Sequence, residues 1–486
     1  MNGTISIIFP ILFPILAGVI LLLLPVKDLK KMAIYMLAVL VINGAAMLFL
    51  LGKNEVSLQA FSLVEDITIY FHIDSVSKLF AGLITVVWIL VGIYTTKYIE
   101  HMEHKKRFIS FYIIVFGVLF GLYFAGNLVT MYIFYELITV SSFPLVLHNQ
   151  DRKAIMAGLK YLFYSFAGAF ISLIGIFILF SYEKDLTFIA GGVLGNQTRT
   201  GLLMLAAMLM IIGFGAKAGM FPLHAWLPTA HPEAPAPASA VLSGIITKSG
   251  VFAIIRVVFF VFGANFLQGT WVQTVFMTLA LITVLMGSMM AYKENVFKKR
   301  LAYSTVSQVS YILFGIAVMT ENGLVGALLH IIFHSFIKNA LFLVAGAIIF
   351  KYGLEKVDQL EAIGKKMPFT IGCYLIISLG LTGIPPTTGF TSKWYLAIGS
   401  LDSGIKGFSV IGPCVLLISA LLTAGYLLPI ALKGFYPGEQ AMKVEKNDAS
   451  YTMIIPIAIF TLATVLLGIF PNTLIIFMQS IATAVM

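Results

Sequence analysis

Charge is what this chain of 486 residues has least of. Asp, Glu, Lys and Arg make up 11% of it, against about 25% in ordinary soluble domains. With 60% hydrophobic residues and a mean hydropathy of +0.99, that scarcity excludes a soluble enzyme or binding module. Cysteine is almost missing too. The two present, Cys373 and Cys414, lie inside apolar runs without metal-ligand spacing, so apolar packing is expected of both. No haem signature and no Rossmann or P-loop glycine pattern occurs, so no cofactor is expected in this chain. Carboxylates avoid the apolar runs. Every Asp or Glu falls in a predicted loop or at a segment break except Glu136, deep in the run from Asn127 to Leu147.

What is present is repetition. Apolar runs of about 20 residues, the length needed to cross a bilayer, recur from end to end. The fold class expected is an all-α polytopic membrane protein with about 14 spans. They are placed near 5–24, 32–51, 77–97, 109–125, 127–147, 156–181, 201–220, 237–262, 272–292, 301–319, 323–350, 370–399, 408–432 and 452–476. Between spans two and three, residues 52–76 alternate apolar and polar, which predicts a short hairpin outside the bilayer. The first run has no basic segment before it and no small-residue cleavage site after it, so it is expected to be a retained span.

The net charge of +10 is a topology signal rather than a nucleic-acid footprint. Of 31 Lys and Arg, 20 fall in alternate loops on one side and five on the other. The positive-inside rule puts the basic loops in the cytoplasm and both termini outside, in a plasma membrane of prokaryotic type. Lys160 and Arg256 lie near span ends and are expected to snorkel.

Four lysines are not so placed. Lys217, Lys248, Lys338 and Lys393 share the apolar runs with Glu136. A charge at bilayer depth costs about 2.5–3.5 kcal/mol on insertion scales, so each needs a partner or water. Lys217 precedes Phe221-Pro222, where the seventh span breaks; Lys393 follows Pro385-Pro386, where the twelfth breaks. In lipid, broken helices survive only where protein or water surrounds them. Paired breaks five spans apart point to two inverted five-helix repeats, each with a broken helix, and to an ion site near the midplane. The organisation expected is 1–108, helices 1–3 with the hairpin; 109–262, first repeat, helices 4–8; 272–432, second repeat, helices 9–13; and 433–486, helix 14.

His330, His334 and Lys338, spaced by four, share one helix face. Without a cysteine or carboxylate nearby they read as a hydrated proton path rather than a metal site. Lys248 follows Ser243-Gly-Ile-Ile-Thr247, whose small residues leave room for close helix approach and water.

These residues carry a resemblance. Tyr135-Glu136-Leu137, the run Gly213 to Pro228, Lys248, the stretch His330 to Lys338, and Gly383-Ile-Pro-Pro386 with Gly389-Phe390 and Lys393 resemble the antiporter-like subunits of respiratory complex I, energy-converting membrane-bound hydrogenases and Mrp cation/proton antiporters. Ala230 to Pro235, with Ser243-Gly244 and Lys248-Ser-Gly250, is most similar to the hydrogenase branch. The resemblance implies a core of 14 helices and assigns roles. Glu136 and Lys217 would form a coupling ion pair and Lys248 would carry the central proton. His330, His334 and Lys338 would continue the path, and Lys393 would load or release ions at its end. It implies partners as well: other membrane subunits of a hetero-oligomeric complex, with iron–sulfur redox subunits, moving protons and in some relatives sodium. The alternative is a subunit of a Mrp-type sodium/proton antiporter without a redox partner. A solute carrier fits poorly, because the buried polar residues are titratable rather than solute-recognising.

Overall fold

The computed structural model describes residues 3–53, 55–64, 67–194, 198–436 and 446–486; Lys443 of the basic loops and the hairpin tip at 65–66 lie outside the described residues. In chain order the elements are α1 (Gly3–Leu23), α2 (Leu29–Leu51), β1 (Val56–Val64), β2 (Ile67–Ile73), α3 (Ser75–Tyr98), α4 (Lys105–Tyr123), α5 (Leu128–Val146), α6 (Arg152–Phe180) and α7 (Gly201–Ala218). Then come α8 (Leu227–Glu233), α9 (Ala236–Val241), α10 (Thr247–Ile255), α11 (Ala264–Leu267), α12 (Trp271–Lys293), α13 (Phe297–Ala317) and α14 (Glu321–Tyr352). The chain closes with α15 (Ile363–Lys366), α16 (Pro368–Thr382), α17 (Thr388–Asp402), α18 (Phe408–Phe435), α19 (Tyr451–Ile469) and α20 (Asn472–Val485).

Helix starts follow local chemistry. Asp28, Asp74, Asn127, Asp151, Thr200 and Thr320 each accept a backbone N–H from the first turn of the helix they open. That satisfies donors which would otherwise be orphaned at the membrane edge. Among the described residues, 12 helical spans are long and apolar enough to cross a membrane, and the chain is an integral membrane protein. The two other expected spans depart for visible reasons. The tenth, α13, opens on Lys298-Lys299-Arg300 and carries three serines, which lowers its hydropathy. The twelfth is divided into α16 and α17 by the Gly383–Thr387 break. The last expected span, 452–476, stops at Ile469, and a second helix, α20, begins after Pro471.

Burial orders the helices. The continuous span Ala236–Phe262, containing α9 and α10, is 100% buried and α14 is 94% buried, whereas α2, α6 and α19 are 33–39% buried. The two central helices are thus the ones bearing Lys248 and the His330–His334–Lys338 face. The span around α10 is also irregular. π-helical turns at Leu242–Ile246 and Arg256–Phe262 flank it, and such turns concentrate at functional sites.

The hairpin expected between spans two and three is β1 paired antiparallel with β2. It is tied to the bundle by His72 N–H to the Phe124 carbonyl at 2.8 Å and Gly126 N–H to the Tyr70 carbonyl at 2.9 Å. Asp74, just after it, corrects the expectation for Arg256. That arginine does not snorkel; it is 1% exposed and forms a two-pronged pair with Asp74 at 2.5 and 2.8 Å. Three rings, Phe188, Phe252 and Phe260, lie 4.3–5.1 Å from the guanidinium. Burial opposes ionisation of Asp74, but Arg256 and the Ser77 donors outweigh it and hold the carboxyl at about 2.

Candidate functional site

On α5, Glu136 is half-buried, and its Oε1 has no hydrogen-bond partner in the protein. Lys217 lies in the last turn of α7, fully buried. Its ammonium does not meet the Glu136 carboxylate, and the four ion pairs among the described residues do not include this one. Lys217 Nζ instead donates to the Tyr135 carbonyl at 2.6 Å and Thr139 Oγ1 at 2.8 Å, 3.7 Å from the Tyr135 ring centroid. Carbonyl, hydroxyl and ring face all stabilise an ammonium. The lysine is therefore docked on Tyr135 and Thr139, on the same helix as Glu136 and within one turn of it.

The first break follows directly. Gly219, at φ +79°, ends α7 in the left-handed conformation that glycine adopts without a Cβ penalty. The indole of Trp226 folds back to donate to the Ala216 carbonyl at 2.8 Å, and Phe221 N–H donates to Thr283 Oγ1 at 3.1 Å. The freed backbone is thus satisfied by protein. Past the break, His231 is fully buried with its ring 4.8 Å from Phe342, and neither ring nitrogen has a protein partner. It lies beside a cavity of about 1080 Å³ lined by Glu103, Asp151, Lys153, Glu233, Lys298 and Glu355 among others. Lys298 closes one wall by donating to the Pro232 and Ala234 carbonyls.

Lys248 occupies the centre. Its Nζ donates to the Ser243 carbonyl at 2.6 Å and lies 2.6 Å from His334 Nδ1, a contact spanning 86 residues. Small residues make this possible. A Cβ at Gly250 would stand 2.6 Å from the Phe214 carbonyl oxygen, so α10 packs tightly on the helix carrying Lys217. Lys338 Nζ donates to Ser304 Oγ at 2.7 Å and the Leu301 carbonyl at 3.1 Å, and Tyr426 donates to the same Ser304 hydroxyl at 2.7 Å. His330 stacks on Tyr311 at 5.6 Å and on His334 at 5.9 Å, and its Nδ1 lies 2.9 Å from Ser392 Oγ. Lys393, next to Ser392, donates to the Leu381 and Thr382 carbonyls at 2.7 Å each, with Nζ 5.3 Å from the Tyr311 ring.

Of the seven residues singled out in the sequence, Lys248 and His334 touch. His330 contacts Ser392, the neighbour of Lys393 on α17, and shares Tyr311 with that lysine. Lys338 lies one turn from His334, and Lys217 is bonded to the residues around Glu136 but not to Glu136 itself. Sequence reasoning missed Ser304, Gln308, Tyr311, Ser392, Tyr426 and His231. For α13 a signal existed: Ser304, Gln308 and Tyr311 lie at i, i+4 and i+7, on one face of the helix. Among the described residues, no group of three or more His, Cys, Asp or Glu could hold a metal ion.

Comparison with known proteins agrees with this architecture. Residues 125–419 match the family described as NADH:quinone oxidoreductase/Mrp antiporter, TM, and residues 62–109 match the N-terminus of NADH-ubiquinone oxidoreductase (complex I) chain 5. NADH-quinone oxidoreductase subunit N of Desulforudis audaxviator is 32% identical over 398 residues, 79% of this chain and 78% of that one. Hydrogenase-4 component B of Escherichia coli is 34% identical over 343 residues, 68% of this chain and 50% of that one. A chain in the structure of the Mrp complex from Dietzia sp. superposes with a TM-score of 0.87 at 21% identity, covering 100% of this chain and 98% of that one, a likeness of fold. A buried file of lysines and histidines, two interrupted helices and these matches together make the chain a member of the NADH:quinone oxidoreductase/Mrp antiporter family of membrane subunits.

Proposed function

We propose that this chain is a proton-translocating, antiporter-like subunit of a redox-driven membrane complex of the energy-converting hydrogenase or NADH dehydrogenase type. It works beside iron–sulfur subunits that carry the electrons, and holds no cofactor itself. The observation that carries the reading is the 2.6 Å contact between Lys248 Nζ and His334 Nδ1, which joins the two most buried helices through groups that can both hold a proton. A solute site would need groups shaped to a solute; a proton path needs titratable groups in file. The similarity to a hydrogenase component and to a quinone oxidoreductase subunit supports the redox partner.

In this reading the core is 14 helices in two inverted repeats, 109–262 and 272–432, with both termini on the outer side. Lys217 leaves its dock on Tyr135 and Thr139 to pair with Glu136, and returns. Each exchange changes the field at Lys248. The proton held there moves by way of His334 and His330, with Lys338 one turn off on the same helix face, toward Lys393, which passes it out at the second break. The step is electrostatic: opposite charge nearby favours the ammonium, and its withdrawal favours release.

The likeness of fold to a Mrp chain along the whole length favours a second reading, a sodium/proton antiporter subunit without redox partners. Extraction of the native assembly with iron and nickel quantified separates the two. Iron–sulfur subunits, with or without nickel, are expected; a metal-free set of small membrane proteins would replace the first reading with the second. Lys248→Ala in either assembly is expected to stop proton transport with normal subunit abundance. Loss of abundance alone would make the lysine structural.

A further inference from the structure

A buried glutamine that the proposed relay does not use stands level with one of its two histidines. Two contacts fix the register of α13 against α14: Ser304 with Lys338 at 2.7 Å, and Tyr311 with His330 at 5.6 Å. The helices run antiparallel, so seven residues along α13 match eight back along α14. Gln308, four past Ser304 and three before Tyr311, lies on the same helix face. It is therefore level with His334, four before Lys338 and four past His330.

Gln308 is fully buried, and neither its Oε1 nor its Nε2 has a protein partner. His334 Nε2 and His330 Nε2 are equally orphaned. Buried polar groups are almost always paired, and where protein offers nothing an ordered water with several polar neighbours does. Four orphaned atoms within one helical turn of two facing helices meet that condition. The tautomer sharpens it. Lys248 Nζ lies 2.6 Å from His334 Nδ1; an ammonium has protons to give and no lone pair, so with Lys248 charged Nδ1 must accept and the imidazole proton sits on Nε2. That N–H needs an acceptor, and a water held by the orphaned Gln308 amide oxygen at its level can be one.

We propose that Gln308 is a positioning residue of the relay: with one bridging water it binds the Nε2–H of His334 and aims it at Nε2 of His330. This rests on the relay reading above. In the step, Lys248 gives a proton to His334 Nδ1, and His334 gives its Nε2 proton to the water. The water passes one of its own to His330 Nε2. Lys248 ends as a neutral amine, His334 as the Nδ1–H tautomer, the water intact and His330 as the imidazolium, its Nδ1 on Ser392 beside Lys393. Turning of the His334 ring resets the path. An amide suits the position because it orients a water without storing the proton.

The test is transport by the intact complex in vesicles carrying Gln308→Leu, Gln308→Asn or Lys248→Ala. Gln308→Leu removes both amide groups at nearly constant volume and is expected to slow transport at least tenfold. Gln308→Asn keeps an amide with room for a second water and is expected to stay within threefold of the unsubstituted complex. Should the leucine variant fail to assemble, Gln308→Met, which keeps the unbranched shape, takes its place with the same expectation. Wild-type transport by the apolar variant, or equal loss in both the apolar and the asparagine variants, would overturn the proposal. If Lys248→Ala also transported normally, the relay reading itself would fall. If Lys248→Ala is inactive while Gln308→Leu is not, only the role of Gln308 falls.

Discussion

The two broken helices carry the same punctuation and use it differently. In the first, the carbonyls freed at the end of α7 are met by a neutral donor, the Trp226 indole, and the nearby Lys217 reaches across to α5. In the second, the freed carbonyls at the end of α16 are met by the ammonium of Lys393 itself. Trp226 and Lys217 are fully buried, while Ile384, Pro385 and Pro386 are exposed on the bundle flank. One lysine is thus free to exchange partners without opening its break, and the other cannot move without opening it. The lesson is that a proline break with a lysine nearby does not define one device. What the ammonium is bonded to decides whether it can change partners without opening the break.

Several substitutions would break or sharpen this contrast, and the largest effects belong to the charges. Glu136→Gln removes the carboxylate that Lys217 is proposed to visit, and transport by the assembled complex should fall about a hundredfold or more with unchanged subunit stoichiometry; wild-type pumping would remove Glu136 from the mechanism. Lys393→Met should slow transport at least tenfold and also expose the 383–387 segment to protease, since two carbonyls lose their donor. Protection equal to wild type would show that the break is held by something else.

The span that follows the first break, Ala236–Phe262, is further distinguished by Asp74–Arg256, the one buried ion pair among the described residues. Asp74→Asn leaves a buried guanidinium without its counterion and should cost about 3–5 kcal/mol, measured by thermal unfolding in detergent. The pH dependence has a definite sign. The carboxyl is held at about 2 in the fold, against about 4 when unfolded. The stabilisation is therefore complete above pH 4 and is lost as pH falls toward 2; an Asp74→Asn protein should lack that acid-side decline. Trp226→Phe removes a single neutral donor from the first break and should cost about 1–3 kcal/mol while transport persists, in contrast to Lys393→Met. At the small end, replacing Cys373 and Cys414 with Ala should leave transport unchanged. Cys373 is buried and Cys414 exposed on the flank, and both are unpaired thiols.

Much of this protein was readable before any coordinates. Apolar runs, loop charges and punctuation gave the helices within a few residues, the hairpin, and both breaks. The two spans that fail the test of length and apolarity, α13 and α16–α17, are those where polar residues or prolines intrude. Arg256 was misread because its partner, Asp74, is 182 residues away in the chain. Gln308, Ser304 and Tyr426 were passed over because a polar residue in a span looks the same whether it meets lipid, a neighbouring helix or a proton path.

By itself the sequence determined that the chain lives in a membrane, which residues sit at depth with a charge, and where two helices must break. Each of those is a local cost of desolvation or of a missing backbone donor, legible one segment at a time. Only the tertiary structure decided that Lys248 meets His334, that Lys217 docks beside Glu136 rather than on it, and that Lys338 meets Ser304. The first two join residues 78 to 86 positions apart in the chain, and the third spans 34. They depend on which faces turn toward one another when helices pack, and no local preference encodes that.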